Sequence, residues 1–380
     1  MELVKHNKWQ RIMLPGFLFQ SMVIGGGYGT GAEMAEYFGV NGVLGGLLTA
    51  LVVIVVWGVI CAVCYEFARL FKVYDYHTLT KALLGKASFL YEIVYIAACL
   101  MVLGVVVATS GNIFSTMFGL NKWIGSFILA ILICVFVIAG TKVVEKVFAY
   151  WSYALYIVYG IFFICIFAKF GGTIIANIGV GEIHSTWFSN GISYASYNLG
   201  IVAALLYSTA GCESRKEAIT SGLMSGVIAV VPAVLLFLAL SAFYPAFLAE
   251  SVPVNMLFAE LNMPVLYYAF EIVLFGTLIE TGMGFIKAVV DRVEVATAKG
   301  GENAPAWVRP VITIGLMVIG LGISAFGITA IILKGYGSLP WAYTITLIIP
   351  LFTVGIYKIV KYDKGELSAE DAVKGMFIKK

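Results

Sequence analysis

Ten stretches of about 20 or more mostly apolar residues follow one another along this chain, at roughly 12–38, 43–71, 88–118, 123–141, 146–170, 191–210, 219–245, 264–287, 307–327 and 336–360. A stretch of that length crosses hydrocarbon as a helix, because only a helix satisfies its own backbone where no water is present. The chain is therefore expected to be an all-α integral membrane protein with ten transmembrane helices. With 61% hydrophobic and 12% charged residues, the polar side chains available cannot cover a water-soluble surface, and no segment is polar and long enough for a separate soluble domain. The first stretch runs into the second, is too long for a signal peptide and lacks a small-residue cleavage site, so it is expected to remain in the mature protein.

The charges fix an orientation. If the N-terminus is cytoplasmic, 21 of the 24 Lys and Arg residues fall on the inner side, leaving Lys122, Lys169 and Lys334 outside. Both termini are then cytoplasmic in the cell membrane, and a count of nine or eleven spans would scramble this segregation. A net charge of +3 is too mild for a nucleic-acid partner. The six cysteines lie almost entirely in apolar runs, Cys61 and Cys64 included, so neither a disulfide framework nor a C-x-x-C redox or zinc site is expected. No HExxH, G-x-S-x-G or nucleotide-binding G-x-x-x-x-G-K-[ST] occurs, which argues against an enzyme and against ATP-driven pumping.

Comparing span starts reveals a repeat. Spans one to five and six to ten begin at offsets of about 175 to 190 residues. Two tandem units of five spans lie in opposite senses across the membrane, the five-plus-five inverted repeat of secondary transporters. The organisation expected is a cytoplasmic N-terminus over 1–11, a first repeat over 12–170, an extracellular connection over 171–190, a second repeat over 191–360 and a cytoplasmic tail over 361–380. A second outer connection, 246–263, spaces Val254, Leu257, Phe258 and Leu261 as a short amphipathic helix.

Corresponding spans of inverted repeats are often interrupted near the midplane, and spans one and six are the unusual pair here. Span one carries Gly25, Gly26, Gly27, Gly29 and Gly31 within seven residues. Each costs a continuous helix about 1 kcal/mol, so an unwound stretch is expected. Thr30 and Glu33 then read as a capping box that restarts the helix, with a vestibule carboxylate acting as a gate as the other reading of Glu33. Span six crowds Ser193, Tyr194, Ser196, Tyr197 and Asn198 into what would be hydrocarbon, and side chains that compete for backbone hydrogen bonds favour a broken helix there. Tyr28 lies within the glycine run, and Asn112 of span three, roughly level with both breaks, is a further candidate for binding substrate.

The segments GGGYGTGAE and SYNLG, on ten spans, resemble the amino acid, polyamine and organocation transporter superfamily, whose fold is that of the bacterial leucine transporter. Within it the likeness is to the YkvI-like membrane proteins. The resemblance implies a substrate site at the breaks of spans one and six, made here by Gly25, Gly26, Gly27, Tyr28, Gly29, Thr30, Ser193, Tyr194, Ser196, Tyr197 and Asn198, with spans three and eight beside it. It further implies a coupling ion between carbonyls of the first break and an i, i+3, i+4 triplet of span eight, where Thr277, Glu280 and Thr281 stand. Glu280 departs from the Ser or Thr usual at such a site. A mid-helix carboxylate costs roughly 2.5 to 3.5 kcal/mol in a bilayer, so it has to be protonated, paired or ion-bound. Glu271, further out on span eight, is a second carboxylate able to face the vestibule.

The function expected is secondary active transport of a small organic solute, an amino acid or related zwitterion or amine, coupled to protons or sodium. Tyr28, Tyr194 and Tyr197 are also suited to enclosing a quaternary amine. No cofactor is expected beyond a sodium ion at the coupling site, and the partners are the solute and the lipid bilayer. A channel or a non-transporting membrane sensor is the alternative.

Overall fold

The computed structural model of the chain describes residues 7–298 and 304–373, and of residues 141–150 and 152 the backbone alone. The charges counted at Lys5, Lys299, Lys374, Lys379 and Lys380 lie outside the described residues, as do the side chains of Lys142 and Lys146. Within these limits the chain is helical, without strands. Seven helices are long and apolar enough to cross a membrane: Val43–Phe71, Tyr76–Phe118, Lys122–Ala139, Tyr153–Asn177, Arg215–Ser241, Pro264–Thr297 and Ile328–Asp363. Val308–Ser324 is apolar but shorter, at 17 residues. The first and sixth expected spans appear as Lys8–Val23 and Trp187–Ala204. The former is cut short by the glycine run, and the latter is diluted by its Ser, Tyr and Asn side chains.

The outer connection forms the helix Val254–Leu261, which buries Val254, Leu257, Phe258 and Leu261. Another short helix, Tyr76–Leu84, starts where the Asp75 carboxylate accepts the Thr78 N–H at 2.8 Å. No apolar pattern announces it, since it only leads into Ser88–Phe118. The last span starts at Ile328, two turns before the expected 336.

The long helices pack as two groups. Val43–Phe71 lies along Arg215–Ser241, and these two clasp Trp187–Ala204 and Lys8–Val23 respectively. Ser88–Phe118, Lys122–Ala139, Pro264–Thr297 and Val308–Ser324 pack on one another as the second group. Backbones touch in the first: a Cβ on Gly222 would stand 2.2 Å from the Ala62 nitrogen, and one on Gly226 would stand 2.6 Å from that of Gly58. The pairs Gly58, Ala62 and Gly222, Gly226 are each four apart, so one small-residue stripe faces another and the helices cross at main-chain contact.

Ion pairs gather at the end carrying residues 7–11. Arg11 joins Glu213 and Glu217, each at 3.0 Å, and Glu66 holds Arg69 at 2.8 Å and Arg215 at 2.7 Å. His77 and Arg292 share the Glu92 carboxylate, each at 2.7 Å.

Candidate functional site

The first helix stops at Val23. Ile24 leaves helical geometry at φ −72°, ψ 72°, and Gly25 is extended at φ −101°, ψ −162°. One helical turn, Gly26–Gly29, follows before the chain turns again at Gly31, whose φ of +80° suits glycine alone. The backbone is thus interrupted on both sides of the turn, as the glycine content implies. The glycines also allow close approach from three neighbours. A Cβ on Gly26 would meet Thr109 Oγ1 at 2.6 Å, one on Gly27 would meet Glu33 Oε1 at 2.5 Å, and one on Gly29 would meet Leu274 Cδ1 at 2.3 Å.

The expected capping box does not form. Thr30 Oγ1 instead donates backward, to the Gly26 carbonyl at 2.6 Å and the Gly27 carbonyl at 3.2 Å, closing the isolated turn. Glu33, relieved of a capping role, lays its carboxyl over Gly27 and faces the Tyr194 and Tyr197 hydroxyls. Those hydroxyls and Glu33 Oε2 are buried and meet no partner at hydrogen-bonding geometry.

The break expected at residues 193–198 lies elsewhere. Trp187–Ala204 continues through them, and the helix changes to a tighter 3₁₀ form only at Leu206–Gly211. The reason is visible at Asn198, whose Nδ2 donates to the Tyr194 carbonyl at 3.1 Å. The amide bonds back along its own helix, so its polar group is satisfied without the unwinding that it was expected to cause. Ser196 is buried and Ser193 half-buried on the same helix.

A cavity of about 20 Å³, room for one water-sized group, lies between these elements. Gly25, Gly26, Gly27, Glu33, Tyr197 and Asn198 line it, with Thr281 from the Pro264–Thr297 helix. Tyr336, Leu339 and Phe285 complete its walls. Sequence reasoning missed these three, and Tyr336 in particular reads as a span-end anchor until the helix is seen to begin at Ile328. Its ring lies 4.8 Å from that of Tyr197. Tyr28, Gly29 and Thr30 stand behind the cavity, and Tyr28 donates to the Ala229 carbonyl at 3.4 Å. Asn112 is not at this site: it lines a separate pocket with Lys122, Trp123 and Ser126. The span-three polar group at the break is Thr109, buried against Gly26.

The span-eight triplet divides its tasks. Thr281 Oγ1 donates to the Met22 carbonyl at 3.5 Å, beside the break. Glu280 Oε2 accepts from Ser21 at 3.3 Å while its Oε1 is buried without a partner. Thr277 bonds its own helix at the Leu274 carbonyl, 2.7 Å away, and offers nothing outward. The Met22 carbonyl, Thr281 hydroxyl and Glu280 carboxylate are oxygen donors of the kind that hold a proton or a sodium ion. Among the described residues no cluster of three or more His, Cys, Asp or Glu gathers as for a transition metal.

Access is unequal at the two ends. Met22 also lines a second cavity of about 380 Å³, bordered by His77, Tyr207, Lys287, Asp291 and Arg292 toward the ion-paired end. At the other end the Val254 N–H bonds the Thr30 carbonyl at 3.1 Å, and Pro253 covers Gly31, so the Val254–Leu261 helix seals the restart of the first helix.

No family model and no curated protein sequence matches the chain. Solved structures do. A substrate-bound, outward-open Na+-coupled sialic acid symporter aligns with a TM-score of 0.65 at 11% identity, over 97% of this chain and 88% of that one. A manganese transporter of Eremococcus coleocola, in complex with an aromatic bis-isothiourea compound, aligns at 0.51 and 14% identity, over 96% and 81%. The chain shares their fold.

Proposed function

We propose that the chain is a secondary active transporter that moves a small organic solute, an amino acid or related zwitterion or amine, by alternating access under a proton or sodium gradient. The observation that carries this reading is the doubly interrupted first helix, whose glycine backbone lines a cavity together with Glu33 and Thr281, next to the Ser21–Glu280 contact. Irregular backbone at membrane depth persists only where protein or a solute path surrounds it.

Helix packing supports the inverted repeat. If spans are numbered one to ten, contacts recur when every number is shifted by five. One on seven matches six on two, three on nine matches eight on four, and three on four matches eight on nine. Ten spans, with repeats over 12–170 and 191–360 joined by 171–190, account for these pairings. The ion-paired end is then cytoplasmic, with 1–11 and 361–380 there, in keeping with the positive-inside bias. The open cleft reaching Met22 faces inward, the sealed end outward, and exchange of these two conditions is the transport step.

A carboxylate beside the Tyr197, Tyr336 and Phe285 rings suits an ammonium group, which the solute class supplies. A channel would lack exchange of solute against solute. Purified protein in proteoliposomes loaded with alanine, glycine betaine or choline is expected to show saturable counterflow of at least one. Flux without counterflow would assign a channel, and no flux with any of a broad amine and amino acid panel would assign a sensor.

A further inference from the structure

Glu271 is a buried carboxylate that lies outside both the cavity at the glycine turn and the Ser21–Glu280 contact. It is 3% exposed, its Oε2 has no hydrogen-bond partner, and it sits nine residues before Glu280 on the same helix, about 13 Å along the axis. Two phenols stand beside it. Tyr159 comes from the Thr141–Asn177 helix, and Tyr267 lies one turn earlier on Glu271's own helix. Both hydroxyls are buried and likewise lack partners. Phe270, the residue before Glu271, stacks on Tyr159 with centroids 5.0 Å apart, which brings the two helices together at this level. Phe258 of the Val254–Leu261 helix covers the group, 5.0 Å from Phe270 and 5.3 Å from Tyr267.

Among the described residues the surroundings offer no counter-charge. The Thr141–Asn177 helix presents Tyr159, the helix of Glu271 presents Tyr267, and the first helix presents Gly29 with Tyr28 behind it. From the covering helix come Phe258 and the neutral Asn255, while Lys169 is engaged at the Glu260 carbonyl. An ionised carboxylate with no cation beside it is costly in so buried a place, and that cost favours taking up a proton. One carboxyl and two phenols are also too few oxygens to replace the ligand shell of a hard metal ion, which asks for about six. A proton needs only one carboxyl oxygen and one acceptor.

We propose that Glu271, with the Tyr159 and Tyr267 hydroxyls, is a second proton-binding site, distinct from Glu280 and loaded from the outer side. This rests on the transport reading for its role in the cycle, though not for proton binding itself. Half-buried Tyr267 leads to it from the exposed turn at Met263–Pro264, and Tyr159 lies against Gly29 where the first helix restarts. The proton moves from water to the Glu271 carboxylate and later returns, with no other bond made or broken.

Infrared difference spectra of the protein in lipid, titrated with pH, read the site directly. A carboxyl C=O band is expected that titrates in wild type and in Glu280→Gln, is absent in Glu271→Gln and is displaced in Tyr159→Phe, which removes only the phenol oxygen. Identical spectra for wild type and Glu271→Gln, or a band that sodium chloride abolishes at fixed pH, would overturn the proposal. Alanine counterflow measured on the same preparations separates the two readings. Titration without any counterflow refutes transport and leaves the proton site standing. Counterflow whose dependence on external pH is unchanged in Glu271→Gln refutes the role of this site in the cycle.

Discussion

The Thr281 hydroxyl meets the main-chain carbonyl of Met22 at 3.5 Å, so the eighth expected span is fastened to the last residues before the first helix gives way. Glu280 reaches the preceding residue, Ser21, at 3.3 Å. Any ion or proton bound between these groups is felt by both helices, which is what coupling requires.

Glu280→Gln therefore separates two mechanisms. If Glu280 carries the coupling proton, the amide imitates the protonated form, and exchange of solute persists while accumulation driven by a pH gradient is lost. If it ligates sodium, the change removes a negative ligand, and sodium dependence weakens without any proton-independent exchange. Thr281→Val is expected to weaken the ion response by about tenfold, the equivalent of one hydrogen bond to a charged centre. Wild-type pH and sodium dependence in both variants would reduce the pair to a helix contact.

Gly27 tests the cavity. Its missing side chain is the space that the Glu33 carboxyl occupies, since a Cβ there would come within 2.5 Å of Oε1. Gly27→Leu is expected to reach the membrane in normal yield and to abolish uptake, because Glu33 is driven out of the cavity or the turn is displaced. Gly160→Leu, in a position where a Cβ meets nothing within 4 Å, should leave uptake unaltered. Equal uptake by both variants and wild type would remove the cavity from the transport path.

What the sequence discloses depends on whether a residue has an alternative. Glycines at 25, 26, 27, 29 and 31 have no side chain with which to stabilise a helix, so the interruption of the first helix is legible from composition. Ser193 to Asn198 do have an alternative, which Asn198 takes by bonding the Tyr194 carbonyl, and the helix runs on to Ala204. Thr109 and Asn112 show a second limit. They lie three residues apart, yet Thr109 is packed on Gly26 and Asn112 lines a pocket by Lys122, because helix rotation is set by partners from distant sequence. Val254–Leu261 was readable because its apolar spacing is local. Tyr336 was not, because its place depends on where the last helix begins.

Gly222 tests the main-chain contact between the Val43–Phe71 and Arg215–Ser241 helices. Gly222→Val places a side chain where the Ala62 nitrogen already lies at 2.2 Å from a Cβ, and backbone cannot yield as a flexible side chain would. Overpacking of this kind costs about 1 to 3 kcal/mol, so a lower melting temperature and reduced folded yield in detergent are expected. Gly315→Val, where a Cβ meets nothing within 4 Å, is the matched control. Equal melting of the two variants would show that the stripe of small residues is not a closely packed seam.

Arg11 and Glu217 bind the start of the first helix to the start of Arg215–Ser241 before either enters the expected membrane span. Arg11 Nε donates to Glu217 Oε2 at 3.1 Å and Nη2 to Oε1 at 3.0 Å, a two-pronged pair. This contact with Arg11 holds the Glu217 carboxyl below the usual range, aided by the Glu213 N–H. A group lowered on folding adds stability above its ordinary range, and that stability is lost as pH falls through its folded value. Wild-type melting temperature should therefore be level near neutral pH and decline on the acid side of the ordinary Glu range. Glu217→Gln should melt lower at neutral pH and show a shallower acid decline, since it has no proton to take up. Thermal melting across pH in one detergent compares the two curves. If they run parallel at every pH, the pair contributes nothing titratable to stability.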